Sequence, residues 1–73
     1  MLNVVVLKQF LDAFPMSDEE IANKIGLKKS SFSQKKNGQR NFTIEEAIDL
    51  AELLNLNYVD FKQIWGNGVN NYE

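Results

Sequence analysis

Apolar residues recur at helical spacing along much of the chain, in short stretches separated by polar segments. The first stretch has apolar residues three or four positions apart: Val4, Leu7, Leu11 and Phe14. This is the spacing of one helix face. Asn3 can cap the helix and Pro15 ends it, so a helix is predicted over residues 3–14. The three consecutive valines have high strand propensity, which leaves an extended segment over residues 3–6 as an alternative.

A second, shorter helix is predicted from Ser17 onward. Ser17 is followed three residues later by Glu20, the sequence of a capping box in which each side chain accepts a hydrogen bond from the other residue's backbone N–H. The apolar positions of this helix are Ile21, Ala22 and Ile25. Gly26 follows directly and can adopt the positive φ that ends a helix in a tight turn.

The stretch KKSSFSQKKN, residues 28–37, has Phe32 as its single large apolar residue. If it forms a helix with about 100° per residue, the side opposite Phe32 carries hydrogen-bonding side chains. These are Ser30, Gln34 and Asn37, with Ser33 beside them. The cations on the flanks are Lys29, Lys35 and Lys36. The third helix is therefore predicted to have one apolar anchor and a free polar face.

Two more helices are predicted after the polar loop NGQRN. Thr43 and Glu46 form a second capping box, which opens a helix through Leu54. Its expected buried residues are Ile44, Ala47, Ile48, Ala51 and Leu54, with Leu50 and Leu53 on a neighbouring face. Asn57 can cap a last helix that ends at Gly66. Its aromatic and apolar side is Tyr58, Phe61, Ile64 and Trp65. The prediction is an all-α, five-helix domain over residues 1–66 and a flexible C-terminal tail over residues 67–73.

Composition narrows the chemistry that the chain can perform. Its 73 residues include no cysteine and no histidine, which excludes disulfides, thiolate or imidazole metal ligands and the usual nucleophile–base pairs. The acids Glu45, Glu46, Asp49 and Glu52 lie on one predicted helix and do not form a ligand set with the geometry of a metal site. We therefore expect no enzyme, no cofactor, no metal and no small-molecule substrate. The N-terminal apolar run is too short for a membrane span and lacks the features of a signal peptide, so a cytoplasmic protein is expected.

Charge is distributed unevenly along the chain. The net charge is −2, yet residues 21–44 carry +6, residues 1–20 carry −3 and residues 45–73 carry −5. The basic segment is Lys24, Lys28, Lys29, Lys35, Lys36 and Arg40. A solvated helix face would account for this pattern, as would the electrostatic footprint of a DNA-binding protein.

The polar helix and the short helix before it favour the second interpretation. Two short helices joined by a glycine turn, the second polar outside one anchor, can insert into a major groove about 12 Å wide. Glutamine can pair bidentately with adenine, and lysine can bond to the O6 and N7 atoms of guanine. Gln34 and Lys29 are the candidates for these roles.

The stretch IANKIGLKKSSFSQKKNGQRNFTIEEAIDLAELLNL resembles the lambda-repressor-like helix-turn-helix family of phage Cro proteins and related bacterial regulators. The resemblance covers about residues 17–56. The residues on the family's packing positions are Ile21, Ala22, Ile25, Gly26, Leu27 and Phe32. FSQKKNGQRNFTIEEA is especially similar to small regulators of temperate phages of Gram-positive bacteria, with Phe42 and Thr43 as the pair that opens the next helix.

The resemblance implies contacts with double-stranded DNA and assigns residues to them. Base contacts are expected from Lys28, Lys29, Ser30, Ser33 and Gln34. Phosphate contacts are expected from Asn37, Gln39, Arg40, Asn41 and Thr43. Lys36, as a cation of the basic segment, and Ser17, next to Asp18, are predicted as further phosphate contacts. The sequence departs from the family at three positions: Lys28 replaces a capping Ser or Thr, Asp18 a phosphate-contacting Gln, and Lys36 an apolar or acidic residue.

The function expected from these observations is a sequence-specific transcriptional regulator, a Cro-like phage or prophage repressor that binds a DNA operator. The alternative is a helix-turn-helix module that binds protein, an antirepressor or regulatory partner. A weak homodimer that pairs on DNA is expected, because one helix reads few base pairs. Its interface is predicted at Tyr58, Val59, Ile64 and Trp65.

Overall fold

The structure is a computed structural model that describes residues 2–66, and the regular elements in that range are all helical. The helices are α1 (Val4–Ala13), α2 (Asp18–Lys24), α3 (Lys29–Lys36), α4 (Ile44–Leu53) and α5 (Tyr58–Trp65). The predicted all-α architecture of five helices is confirmed. The alternative of an extended segment at residues 3–6 is wrong, since α1 begins at Val4. The predicted tail, residues 67–73, lies outside the described residues.

The helix starts follow the capping signals in the sequence. Ser17 with Glu20 opens α2 and Thr43 with Glu46 opens α4, each as a complete capping box. Asn57 caps α5 in the same reciprocal way with Asp60, a partner that the sequence interpretation did not include. Lys28 at the start of α3 makes no side-chain capping hydrogen bond. Because the first N–H groups of a helix have no partner within it, this end of α3 is the least anchored.

Residues from all five helices form one core. Its buried members are Leu7, Leu11, Ile21, Ala22, Ile25, Phe32, Phe42, Ala47, Leu50, Leu54, Ile64 and Trp65. Three aromatic rings in this core make edge contacts in a row. The ring centroid of Phe42 lies 6.2 Å from that of Phe32 and 5.7 Å from that of Trp65. Phe42, in the loop before α4, therefore joins α3 to α5.

Helix α4 buries only part of the face predicted for it. Ala47, Leu50 and Leu54 are buried, whereas Ile44 is 56% exposed and Ile48 is 46% exposed. The predicted burial of the two isoleucines is wrong. Apolar residues cover more than half of the circumference of α4, so helical spacing offers two overlapping faces and does not choose between them. The outcome leaves an apolar strip on the surface of α4.

The turn between α2 and α3 brings these two helices into contact. Gly26 has φ +78°, and the N–H of Leu27 donates to the carbonyl of Ala22 over 2.8 Å. Positive φ carries little steric cost for glycine, which has no Cβ. Ala22 is fully buried, so its small side chain sits where α2 packs. Residues 17–37 therefore contain two short helices in contact, joined by a glycine turn, in the order that the sequence predicts.

The first and last helices are joined through their backbones. The N–H of Asn3 donates to the carbonyl of Ile64 over 2.7 Å, and α1 packs against α5. Helix α1 also contacts α3. A Cβ added at Gly38, in the turn after α3, would come within 3.3 Å of Val4 Cγ2. Helix α1 therefore supports the side of α3 that faces the protein.

None of the helices within residues 2–66 combines the length and the apolar character that crossing a membrane requires.

Candidate nucleic-acid interface

Helix α3 presents the polar face that its sequence predicts. Phe32 is fully buried, and the residues expected to contact bases lie away from it. Lys28, Lys29, Ser30 and Gln34 are exposed, and Ser33 is half-buried. Because small side chains let a helix backbone approach a surface closely, this side of α3 has the shape and the hydrogen-bonding groups for base edges.

The loop after α3 folds back onto the end of the helix. The backbone N–H groups of Gln39 and Arg40 both donate to the carbonyl of Gln34, over 2.9 and 3.3 Å. Arg40 Nη1 lies 3.4 Å from Gln34 Oε1, so the guanidinium stands beside the glutamine amide. The side chain of Asn37 donates to the carbonyl of Ser33 over 2.8 Å and closes the helix end. The predicted phosphate-contacting residues of this loop are thus next to a predicted base-contacting one.

Two predicted phosphate contacts, Ser17 and Thr43, act as helix caps in the structure. The Ser17 hydroxyl accepts from the N–H of Glu20 over 3.2 Å, and the Thr43 hydroxyl accepts from the N–H of Glu46 over 3.1 Å. A hydroxyl that accepts a hydrogen bond still carries its own proton to donate. Both residues are exposed and so can donate to an anion. Asn41, another predicted contact, is exposed in the segment before α4.

Lys35 has a structural position that its sequence does not reveal. Its Nζ is ion-paired with Glu46 Oε1 over 2.5 Å, and only 7% of the Lys35 side chain is exposed. Glu46 also accepts from the N–H of Thr43 over 3.0 Å, so its carboxylate joins α3 to the start of α4. Helical spacing placed Lys35 on a flank of α3. The partner lies across a loop, and no local pattern predicts that pairing.

Lys36, predicted to contact phosphate, is ion-paired with Asp18 Oδ2 at the start of α2. Only 21% of its side chain is exposed. Asp18 and Lys36 are 18 residues apart in the sequence, so the ion pair joins the start of α2 to the end of α3.

The two ion pairs place the expected phosphate contacts around one end of α3. Lys36 holds the start of α2, where Ser17 is the cap, and Lys35 holds the start of α4, where Thr43 is the cap. The loop with Arg40 leaves from the same end of α3. Pairing also neutralises two of the six cations in the basic segment. The exposed cations that are left there are Lys24, Lys28, Lys29 and Arg40.

The predicted dimer interface needs correction. Ile64 is fully buried and Trp65 is 1% exposed, so neither side chain has surface to offer a partner. They face inward because α5 covers α1 and the Phe42 ring. Tyr58 and Val59 are exposed, with Lys62 Nζ 5.6 Å from the centroid of the Tyr58 ring. Only these two of the four predicted residues can belong to a contact surface.

The Glu46 carboxyl makes the stability of the domain sensitive to acid. Burial raises the pKa of Glu46, but hydrogen bonds from Lys35 and Thr43 and the charge of Lys35 outweigh it, and the pKa lies below its ordinary value of 4.5. A carboxyl with a lowered folded-state pKa stabilises the protein above its unfolded-state pKa. That contribution is lost as the pH falls through the folded-state pKa.

We therefore expect Glu46→Gln to lower the free energy of unfolding near neutral pH, and the difference from the unchanged protein to shrink as the pH falls below about 4.5. Urea unfolding at a series of pH values measures this difference. Glu52→Gln, an exposed acid on the same helix, is the control and should change stability by less than about 0.5 kcal/mol. A Glu46→Gln difference that grows on acidification would contradict the assignment.

Comparison of the chain with protein-family models, with curated proteins and with solved structures found no match. The functional assignment consequently depends on the residues and their geometry.

Proposed function

We propose that the chain is a sequence-specific double-stranded DNA-binding transcriptional regulator, a Cro-like phage or prophage repressor, with α3 as its recognition helix. The observation that carries this proposal is the polarity of α3. One side chain, Phe32, is fully buried, while Lys29, Ser30 and Gln34 are exposed on a helix that packs against α2. A helix retained only for packing would bury more apolar surface than this one.

In the proposed complex α3 enters the major groove. Gln34 reads adenine through its amide, and Lys29 donates to guanine. Arg40, beside Gln34, lies at the edge of the helix, where a phosphate can accept from its guanidinium. The starts of α2 and α4 would offer backbone N–H groups and the hydroxyls of Ser17 and Thr43 to phosphates. Phosphate contacts would fix the helix and base contacts would select the sequence.

Two subunits are expected to bind one operator. A single recognition helix reads only a few base pairs, so specificity in this class comes from two helices placed about 34 Å apart on a two-fold site. The contact between subunits would be small and would include Tyr58 and Val59, the exposed apolar residues of α5. A small contact favours a monomer in solution and a pair on DNA.

The experiment that tests DNA binding is selection of a preferred duplex from random sequences, followed by titration at increasing salt. If Lys24 and Arg40, the exposed cations of the basic segment that are not assigned to bases, each neutralise one phosphate, log K against log salt should fall with a slope of about −1.8 per subunit. Arg40→Gln should weaken binding to the selected and random duplexes alike and reduce the slope by about 0.9. Gln34→Ala should weaken only the selected duplex, by about 1 to 3 kcal/mol.

The matched control for these variants is Gln63→Ala, an exposed glutamine on α5 that should leave both affinities unchanged. Binding that does not respond to salt would contradict DNA recognition. Equal losses on selected and random DNA for Gln34→Ala would contradict its assignment as a base-reading residue.

A protein-binding module is the second candidate, and the surface of α4 favours it. Ile44 and Ile48 are exposed one turn apart, and the acids Glu45, Asp49 and Glu52 are exposed beside them. An apolar strip bordered by negative charge fits a partner with apolar and basic residues. If the chain binds no duplex even at low salt, this surface becomes the preferred site. Ile48→Ser should then reduce partner binding, while Val5→Ser on α1 should not.

A further inference from the structure

The C-terminal end of α3 is held in two directions. Lys35 and Lys36 are consecutive, so their side chains leave the helix about 100° apart. One is ion-paired with the start of α4 and the other with the start of α2. Together with the buried Phe32 ring one turn earlier, the two ion pairs restrain the rotation of the helix about its own axis.

The other end of α3 is joined to α2 by a tight turn and has no side-chain cap. Lys28 makes no side-chain capping hydrogen bond, and the residues from Lys28 to Ser30 are exposed. The rotation of α3 decides which side chains face outward, and Gln34 and Ser30 lie on the outward side. What fixes the C-terminal end therefore determines the direction in which these two side chains point.

We propose that Asp18 and Lys36 are positioning residues for α3, and that Lys36 does not contact phosphate. This proposal rests on the proposed DNA-binding function and names two residues that set its sequence specificity. The ammonium of Lys36 is paired with the Asp18 carboxylate, and 21% of the lysine side chain is exposed. A phosphate contact by Lys36 would place the negative charge of Asp18 beside the polyanion, which is electrostatically unfavourable.

The role of positioning residue and the role of phosphate contact predict different changes in specificity. A lost phosphate contact weakens selected and random duplexes alike and lowers the salt slope by about 0.9. A lost positioning contact lets α3 roll, which spoils base contacts and leaves the number of neutralised phosphates unchanged. The ratio of the affinities for the selected and the random duplex therefore separates these roles. Partial unfolding reduces both affinities by the same factor and does not move this ratio.

The test uses the full chain with Lys36→Gln, Asp18→Asn and the double variant, each titrated with the selected and the random duplex. We expect each single change to lower the affinity ratio by about five-fold or more, the lower end of the worth of one base contact. The affinity ratio of the double variant should be no lower than that of the single variant with the lower ratio, because each single change already removes the same ion pair. The control is Lys24→Gln, an exposed lysine on α2, which should leave the ratio unchanged.

Four results would overturn the proposal. An unchanged ratio with a smaller salt slope for Lys36→Gln would make Lys36 a phosphate contact. Tighter binding of both duplexes by Asp18→Asn, at an unchanged ratio, would make Asp18 a competitor of DNA for Lys36. If the unaltered protein prefers no duplex sequence, that result contradicts the proposed function, and the positioning proposal fails with it. If the unaltered protein prefers a duplex and all three variants keep the same affinity ratio, the proposed DNA-binding function stands and only the positioning role of Asp18 and Lys36 is contradicted.

Discussion

Replacing Trp65 with alanine is expected to cost about 3 to 5 kcal/mol of unfolding free energy, the usual range for a buried large aromatic residue. At about 0.05 to 0.15 kcal/mol per residue, a domain of this length has about 4 to 11 kcal/mol in total. The loss is large because Trp65 is 1% exposed and its ring contacts both Phe42 and Phe61. Trp65→Ala would therefore remove a large share of the stability of the domain.

Urea unfolding followed by circular dichroism, at two protein concentrations, measures the effect of Trp65→Ala. A core residue gives the same loss at both concentrations, whereas a residue of a subunit interface gives a loss that depends on concentration. Trp65→Phe keeps an aromatic ring and should cost less than Trp65→Ala. Tyr58→Ala, an exposed aromatic on the same helix, should stay within about 0.5 kcal/mol of the unchanged protein. An unfolding midpoint unchanged by Trp65→Ala would place this residue outside the core.

Phe32→Ala should have a comparable effect, again about 3 to 5 kcal/mol. Phe32 is the only large apolar residue of α3, is fully buried and makes an edge contact with Phe42. Its removal leaves a cavity under the helix and removes the contact that joins α3 to the core. The contacts of α3 with α1 and α2 and its two ion pairs would remain, but none of them replaces the buried ring.

Thermal unfolding of Phe32→Ala and Phe32→Leu separates loss of volume from loss of the ring. The leucine variant keeps most of the apolar volume and should lose clearly less stability. Ile48→Ala on the exposed strip of α4 is the control and should change the unfolding free energy by less than about 0.5 kcal/mol. If Phe32→Ala melted at the same temperature as the unchanged protein, α3 would not be anchored by this ring.

The helices and their ends could be predicted from the sequence because their signals are local. The capping pairs Ser17–Glu20 and Thr43–Glu46 lie three residues apart, and Gly26 marks the turn between α2 and α3 by its conformational freedom. The buried face of α4 could not be predicted. Choosing between Ile48 and Leu50 requires the positions of other helices, which no pattern within α4 contains.

In the candidate site, too, some residues could be predicted from local sequence patterns and others could not. The polar face of α3 follows from helical spacing around Phe32, so Gln34 and Ser30 were identified without the structure. The roles of Lys35 and Lys36 were not, because their partners lie 11 and 18 residues away along the chain. A charge count treats every lysine as available to a ligand. The fold shows that these two are engaged within the protein.

The backbone hydrogen bond from Asn3 to Ile64 has a consequence for synthesis of the protein. A chain leaves the ribosome from its N-terminal end, so Asn3 and α1 emerge long before α5. Ile64 and Trp65, both core residues, are among the last of residues 2–66 to be made. Helix α1 can form early from its own residues, but its packing partner does not yet exist. The core therefore closes only when nearly all of residues 2–66 have left the ribosome, which makes folding a late and cooperative event.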